Sequence, residues 1–218
     1  MKKLFFSIFL FLLSLAVNAQ ISRAQDFYGT TDLKTFREGR DKEFRDPKES
    51  PLREKDFATF KGLKYYSLDQ TFRVAAEFKP TRGAKFFRMP TSSQQTQRFA
   101  KYGELKFKLN GQEITLNVYQ AEAVLLDEKL KKYQDLLFVP FKDLTNGAKT
   151  YGGGRYLDVK IPPSNKVILD FNLAYNPSCA YGSDKFSCPI PPKENHLPIK
   201  IEAGEQSYLS DKENEHKK

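Results

Sequence analysis

Residues 103–118, GELKFKLNGQEITLNV, predict the β-hairpin on which the fold assignment rests. Asn110-Gly111 is a dipeptide that accepts the positive φ angles of a two-residue type I′ turn. Counting outward from this turn pairs Phe107 with Ile114, Leu105 with Leu116 and Gly103 with Val118. These partners fall on one face, and the opposite charges of Lys108 and Glu113 face each other on the other side. Turn chemistry and side-chain pattern therefore predict the same register.

Upstream of the hairpin, the hydrophobic period changes from that of a helix to that of a strand. Leu33, Phe36, Arg40 and Phe44 recur at helical spacing and predict a helix that ends at Asp46-Pro47. Ser50-Pro51 is typical of the start of a second short helix, which Gly62 would end. In the segment 72–78, apolar side chains occupy every second position, as in a half-buried strand.

Downstream of the hairpin, the charged segment 127–134 predicts one or two helical turns, and the apolar run 136–141 predicts a buried strand. The runs 155–161 and 167–171 predict a second hairpin with a five-residue loop, because that register aligns their apolar side chains. The fold expected from these elements is α+β and mainly antiparallel β. It would be a β-sandwich or partly closed barrel with N-terminal helices.

The second hairpin would place Asp158 directly opposite Asp170. Two facing carboxylates can share a proton or hold a cation, because bringing like charges together raises one of the two pKa values. A hydrolase would use this pair, or Glu194, as its acid and base. On a wet surface, a nearby base such as Lys160 would only screen the two charges.

The N-terminus predicts export. Lys2 and Lys3 precede an apolar run over 4–17, and Val17-Asn18-Ala19 supplies the small residues that a signal peptidase requires. The run is shorter than the roughly 20 residues that span a bilayer. Residues 1–19 are therefore expected to be a cleaved signal peptide that leaves no transmembrane segment. The mature protein would be periplasmic or extracellular.

Chain length and net charge restrict the number of domains and the kinds of partner to be expected. After cleavage, about 199 residues remain, which suits one β-rich domain over 26–205 and a disordered polar tail over 206–218. The mature chain has 34 Lys and Arg against 27 Asp and Glu, a net charge of about +7. Because the basic residues are dispersed and the protein is exported, nucleic acid is not expected as a partner. A small molecule or an anionic envelope ligand remains possible, no cofactor is indicated, and the oligomeric state is not indicated either.

Cys179 and Cys188 are the only cysteines in the chain, and an even count in an exported protein favours a disulfide. The alternative is a metal site that would add His196 and either Glu194 or Asp184 to the two sulfurs. The spacing matches no standard zinc pattern such as C-x-x-C, so we expect a disulfide and no metal.

Two further signals have a structural and a functional interpretation. The triplet Gly152-Gly153-Gly154 leads into a strand and lacks the Lys-Ser/Thr ending of phosphate loops, so it predicts a turn or bulge. Arg155 follows it and would either anchor an anion or donate hydrogen bonds to loop carbonyls. Nucleophilic catalysis would depend on His196, since His216 lies in the polar tail, and we expect His196 to be a surface residue.

Polar side chains and constrained backbone coincide in the segment 151–205. We expect the loop 172–195 to fold over the sheet and cover a pocket. Its polar contacts would come from Arg155, Tyr175, Asn176, Glu194 and Asn195. The expected function is the binding of a small molecule or a glycan. A hydrolase and a structural envelope module are the alternatives.

Several uncommon strings resemble the family called domain of unknown function 1684. They are FREGRDKEF (36–44), FVPFKDLTNGAKTYGGGRYLDV (138–159), LDFNLAYNPSCAY (169–181) and SCPIPPKENHLPIKIEAGE (187–205). The resemblance covers about 33–205 and implies a compact, mainly β domain with N-terminal helices. It carries no activity that could be transferred. Members without an obvious signal peptide keep a similar cysteine pair, which leaves a metal site or reactive thiols open.

Overall fold

The computed structural model describes residues 33–183 and 185–208. The predicted signal peptide, Asp184 and residues 209–218 lie outside these ranges. The helices are α1 (Leu33–Arg45), α2 (Glu54–Phe57) and α3 (Ala123–Leu126). The strands are β1 (Arg73–Pro80), β2 (Phe86–Pro90), β3 (Thr96–Leu109), β4 (Gln112–Ala121), β5 (Leu136–Phe141), β6 (Arg155–Lys160) and β7 (Lys166–Asp170). Short 3₁₀ turns occur at Gln70–Phe72, Lys131–Tyr133, Phe171–Leu173, Ser178–Tyr181 and Lys193–Asn195.

The seven strands of the described residues form one antiparallel sheet in the order β6-β5-β4-β3-β1-β7, with β2 also paired to β3. The sheet curls into a half-barrel, which confirms the predicted α+β, mainly antiparallel class. β6 and β7 lie at opposite ends of this order but are joined by only residues 161–165. Five strand spacings in a flat sheet measure about 24 Å. The six Cα steps of the connection reach about 21 Å at most, so the curl brings the two edges together.

The hairpin at Asn110-Gly111 has the predicted register over its whole length. The φ angles of these two residues are 51° and 79°, as a type I′ turn requires. Gly103 follows a break in the register after Lys101 and lies against β1. A Cβ at position 103 would lie 2.7 Å from the Lys79 carbonyl oxygen, so this close strand approach requires glycine.

The predicted second hairpin is wrong. β6 pairs with β5, and β7 pairs with β1, so the two strands are not neighbours. Asp158 lies opposite Phe138, and Asp170 lies opposite Arg73, so the two carboxylates do not face each other. The apolar side chains of both strands match several partners equally well. The pattern of two strands alone therefore could not reveal which other strands they join.

The N-terminal helix agrees with the prediction, and the second helix is shorter than expected. α1 ends at Arg45, next to Asp46-Pro47. α2 begins at Glu54, because Leu52 forms an isolated bridge to Gly182 and so remains extended. The Ser50 hydroxyl accepts a hydrogen bond from the Leu52 backbone N–H at 3.3 Å and does not cap a helix. None of the helices within the two described ranges is long and apolar enough to cross a membrane.

The glycine triplet forms the predicted turn. The Gly154 backbone N–H donates to the Tyr151 carbonyl at 3.0 Å, and Gly154 has a φ of 100°. A Cβ at Gly154 would lie 2.7 Å from the Phe141 carbonyl oxygen, so a side chain is excluded. Arg155 directly follows this turn, and its side chain is fully buried in the half-barrel.

Arg155 holds the C-terminal segment 197–205, which belongs to no strand of the sheet and in which alternate side chains of 197–203 are buried. The guanidinium is fully buried and donates to the carbonyls of Ile201 at 2.7 Å, Glu205 at 3.3 Å, and Ala203. It also pairs with Asp143 at 2.8 Å. The interpretation of Arg155 as a donor to loop carbonyls is thus confirmed. Both terminal nitrogens of the guanidinium are engaged inside the protein, whereas Nε is buried without a hydrogen-bond partner among the described residues.

Asn195, two residues before the C-terminal segment, ties the chain to the sheet. Its side-chain amide accepts from the Asn117 backbone N–H at 2.8 Å and donates to the carbonyls of Asn117 at 2.9 Å and Pro140 at 2.7 Å. Asn117 belongs to β4 and Pro140 to β5, two strands that share only the Tyr119–Phe138 pair. The amide therefore satisfies backbone groups that the separating strands leave without partners.

Residues 206–208, which were predicted to belong to the polar tail, contact the folded part of the chain. The backbone N–H groups of Gln206 and Ser207 donate to the carbonyls of Lys64 at 2.8 Å and Lys149 at 2.9 Å. The Tyr208 ring packs against Tyr181, with the centroids 5.5 Å apart. These contacts extend the folded part to at least Tyr208.

Arg155→Met should lower the free energy of unfolding by about 3 to 5 kcal/mol, because it leaves the buried Asp143 charge unpaired. Three carbonyls of the C-terminal segment would also lose their donor. Lys160→Met, at an exposed position of the same strand, is the matched control and should change the free energy by less than about 0.5 kcal/mol. Urea unfolding of both variants measures the difference. Equal stabilities would contradict the role given to Arg155.

Candidate functional site

A pocket of about 480 Å³ lies where strands β3 to β6 meet the loop that follows β7. Strand side chains line one side, and two pieces of the loop, 175–178 and 186–189, line the other. Arg40 of α1 completes the wall. The loop thus folds over the sheet, as the sequence analysis expected.

The loop is fixed at several points. Cys179 and Cys188 form a disulfide with an S–S distance of 2.04 Å. The Cys188 carbonyl accepts from the Ser92 backbone N–H at 2.9 Å, which ties the loop to the turn between β2 and β3. The Tyr156 hydroxyl of β6 donates to the Pro189 carbonyl. The two sulfurs are bonded to each other and so are not available as metal ligands.

Aromatic rings form a continuous wall of the pocket. Phe99 stacks on Phe138 with a centroid distance of 5.4 Å, and Phe138 meets Tyr156 edge to face at 4.6 Å. Tyr156 in turn meets Tyr175 edge to face at 5.9 Å. Phe99 comes from β3, Phe138 from β5 and Tyr156 from β6, so the sheet curvature creates this surface.

Asp158 is a carboxylate in this aromatic surface. The Tyr175 hydroxyl donates to its Oδ2 at 2.7 Å. Asp158 is exposed to solvent and lines the pocket. Partial desolvation by the surrounding pocket raises the pKa of Asp158, and the Tyr175 hydrogen bond and the Arg40 charge only partly oppose the rise. Among the described residues, Asp158 forms no ion pair.

Arg40 brings a positive charge to the same wall, but other carboxylates compensate it. Its Nη1 lies 3.0 Å from Glu43 Oε2, and its Nη2 lies 4.0 Å from Glu205 Oε2. The guanidinium also stacks over the Tyr175 ring, 5.2 Å from the centroid. Tyr181, Glu205 and Glu43 raise the pKa of Arg40 despite the opposing effect of its burial, so the group stays protonated.

A buried polar cluster lies behind the pocket. Glu205 is fully buried and accepts from the Asn176 backbone N–H at 3.1 Å, from Asn176 Nδ2 at 3.0 Å, and from the Tyr181 hydroxyl. Asn176 Nδ2 also donates to the Gln206 carbonyl at 2.8 Å. The other amide atom, Asn176 Oδ1, is buried without a partner among the described residues, and Asn176 lines the pocket.

The structure brings three of the predicted site residues together. Tyr175, Asn176 and Asp158 all line the pocket. Arg155 and Asn195 are buried structural donors outside it, which corrects their assignment as ligand contacts.

The remaining candidates also lie outside the pocket lining. Glu194 and His196 are exposed, and the expectation of a surface histidine is confirmed. Asp170 caps the following 3₁₀ turn through the Asn172 N–H at 2.9 Å and lies 3.9 Å from Arg73. A facing pair of Asp158 and Asp170 is therefore excluded as the acid and base of a hydrolase.

Sequence reasoning missed Arg40 and the aromatic wall. Arg40 falls on the apolar stripe of α1, and a charge on such a stripe is a signal of an inward polar contact. Phe99, Phe138 and Tyr156 gave no comparable signal, because aromatic residues on strands are usually core residues.

Comparison with known proteins confirms the resemblance. Residues 58–206 match the family described as Protein of unknown function (DUF1684). The chain belongs to this family. It is also similar to a solved structure, the solution NMR structure of the uncharacterized protein from gene locus rrnAC0354 of Haloarcula marismortui. The identity is 34%, the match covers 86% of this chain and 98% of that chain, and the TM-score is 0.66. A search of curated proteins finds no match.

The DUF1684 match includes the whole sheet and the disulfide-closed loop, which build most of the pocket in this chain. Arg40 is the exception, because α1 precedes the matched residues. The family and its solved relative carry no described activity.

The Glu205 cluster predicts a pH dependence of stability. Burial raises the pKa of Glu205, so the folded state holds the Glu205 proton more tightly than the unfolded chain. The stability contribution of this proton is complete below the unfolded pKa of about 4.3. It is lost as the pH rises through the folded pKa.

Glu205→Gln removes this titration. The stability of the native protein relative to Glu205→Gln should therefore fall as the pH rises from about 4.3, by roughly 1.4 kcal/mol for each unit of pKa shift. Glu202→Gln, at an exposed neighbouring position, should show no such trend. Urea unfolding at several pH values measures both differences. A constant difference between the native protein and Glu205→Gln would contradict the raised pKa.

Proposed function

We propose that this DUF1684 protein binds a small molecule in the pocket beneath the 172–195 loop. The observation that carries the proposal is the pocket itself. Its volume of about 480 Å³ falls within the range of roughly 300 to 1,000 Å³ that is common for ligand sites. Its lining combines an aromatic wall with a few polar groups, the composition expected for such a site.

The rigidity of the pocket supports the proposal. The disulfide closes one end of the loop, and Glu205 holds the other end through two hydrogen bonds to Asn176. Tyr156 binds the Pro189 carbonyl between the sheet and the loop. A site that is formed before the ligand arrives avoids the cost of ordering a loop on binding.

The lining favours a ligand with an apolar body over a glycan. Sugars stack on aromatic rings but also present many hydroxyls that need partners. The charged residues of the lining are Arg40 and Asp158, and Arg40 already faces Glu43 and Glu205. An anionic envelope ligand would therefore compete with two carboxylates for Arg40.

Ala121→Trp should block binding, because Ala121 lines the pocket and the indole would fill it. Ala75→Trp makes the same change at an exposed position of β1 and is the matched control. The probes are benzylamine, benzyl alcohol and benzoate, titrated while amide shifts are followed by NMR. At least one probe should bind saturably, with its affinity reduced about tenfold or more in Ala121→Trp and by less than about twofold in Ala75→Trp.

The proposal fails if none of the three probes binds at millimolar concentrations. It also fails if Ala121→Trp binds as well as the native protein. A structural role in the envelope, with a loop that only packs against the sheet, would then be the better interpretation.

We also propose that the protein is exported. The apolar run at 4–17 and the small residues at 17–19 support this location, and a disulfide is expected to persist in an oxidising compartment. The disulfide should stabilise the native state by roughly 2.5 to 3 kcal/mol, since it closes a ten-residue loop.

Export predicts a defined mature product. The full chain expressed in a bacterium should be recovered outside the cytoplasm with Gln20 as its first residue. Mass spectrometry after alkylation should find no modified cysteine without reductant and two with it. Recovery from the cytoplasm with Met1 intact, or two modified cysteines without reductant, would contradict the proposal.

A further inference from the structure

The pocket contains one carboxylate, Asp158, that forms no ion pair with a basic residue in the described part of the chain. Arg40 and Asp158 are the charged residues of its lining. Tyr175 occupies Asp158 Oδ2, and within the described residues no basic side chain lies within ion-pair distance of the carboxylate. A charge that is partly enclosed by protein is stabilised when an opposite charge enters beside it.

Arg40, the basic residue of the pocket lining, does not pair with Asp158. Arg40 lies between Glu43, at 3.0 Å, and Glu205, at 4.0 Å. The Glu43 carboxylate by itself offsets the Arg40 charge at 3.0 Å, so Asp158 leaves the site net negative. The local charge therefore disfavours an anionic ligand and favours a cationic one.

The rings beside Asp158 suit the same kind of ligand. Phe99, Phe138, Tyr156 and Tyr175 form the aromatic wall, and Asp158 belongs to the same strand as Tyr156. Aromatic faces attract cations through the ring quadrupole. Aromatic rings grouped around an acidic group are a known means of recognising ammonium groups with apolar substituents.

We propose that the ligand is an organic cation, an ammonium group carried on an apolar body, with the ammonium beside Asp158 and the body against the aromatic wall. This inference rests on the proposed function and adds the charge of the ligand to it. Asp158 supplies the ion pair, and Tyr175 orients the carboxylate through Oδ2.

The test compares three ligands of nearly equal size that differ in charge. At pH 7, calorimetry should show benzylamine, which is protonated, binding about tenfold more tightly than benzyl alcohol, with benzoate weakest. Asp158→Asn should bring benzylamine to within about threefold of benzyl alcohol and leave benzyl alcohol within about twofold of its native affinity. Glu113→Gln removes an exposed carboxylate on β4 and should change none of these affinities.

A measurement on the native protein covers the case in which Asp158→Asn does not fold. Benzyltrimethylammonium keeps its charge at all pH values, so its affinity should rise with pH as Asp158 ionises and then level off. Benzyl alcohol should show no such rise. The groups that face Asp158 are Tyr175 and Arg40, and both keep one protonation state over this range because their pKa values are raised.

The outcomes separate this inference from the proposed function. If benzyl alcohol or benzoate binds at least as tightly as benzylamine, the pocket is a binding site but not one for cations. A flat pH profile for benzyltrimethylammonium leads to the same conclusion. If none of these compounds binds, the proposed function and the inference fail together.

Discussion

The structure depends on the buried guanidinium of Arg155. The C-terminal segment 197–205 belongs to no strand, its alternate side chains are buried, and several of its backbone carbonyls would be unsatisfied without a side-chain donor. Arg155 supplies donors to three of these carbonyls, and Asp143 balances its charge at 2.8 Å. Asn195 performs a similar task where β4 and β5 separate. The protein therefore replaces strand pairing with a few buried polar side chains, and each replacement is a position at which a mutation should be costly.

The same arrangement positions the pocket. The segment that Arg155 holds ends in Glu205, which binds Asn176 at the start of the loop over the pocket. The disulfide and the Tyr156 contact with Pro189 fix the other end. The same contacts thus stabilise the fold and hold the pocket loop in place. A variant such as Glu205→Gln is therefore expected to affect both the stability of the protein and the shape of the pocket. Asp158 is different, because its side chain faces the pocket and forms no ion pair in the described part of the chain. It is the residue at which ligand binding can be changed with the least effect on folding.

The predicted site was partly correct for a physical reason. Tyr175 and Asn176 were found because polar residues in a constrained loop often face a pocket. Arg155 and Asn195 satisfy the same criterion, yet they serve buried backbone groups. Sequence cannot separate these two uses, since both require a polar side chain beside rigid backbone. The aromatic wall could not be predicted either, because Phe99, Phe138 and Tyr156 come from three strands and meet only when the sheet curls.

Local chemistry was enough to predict the elements. The Asn110-Gly111 turn sets its own register, the apolar stripe of α1 ends at Asp46-Pro47, and the glycine triplet forms a turn, since each depends on residues close together in the chain. The order of the strands was decided only by the tertiary structure. β6 and β7 have apolar faces that could pair with each other, but the curled sheet offers each a different neighbour, β5 and β1. Sequence therefore determined most of the strands, but not β2, and the main turn of this protein. The folded sheet alone decided which strands pair, which buried charges meet, and that Asp158 faces a pocket instead of Asp170, because these outcomes depend on the packing of distant segments.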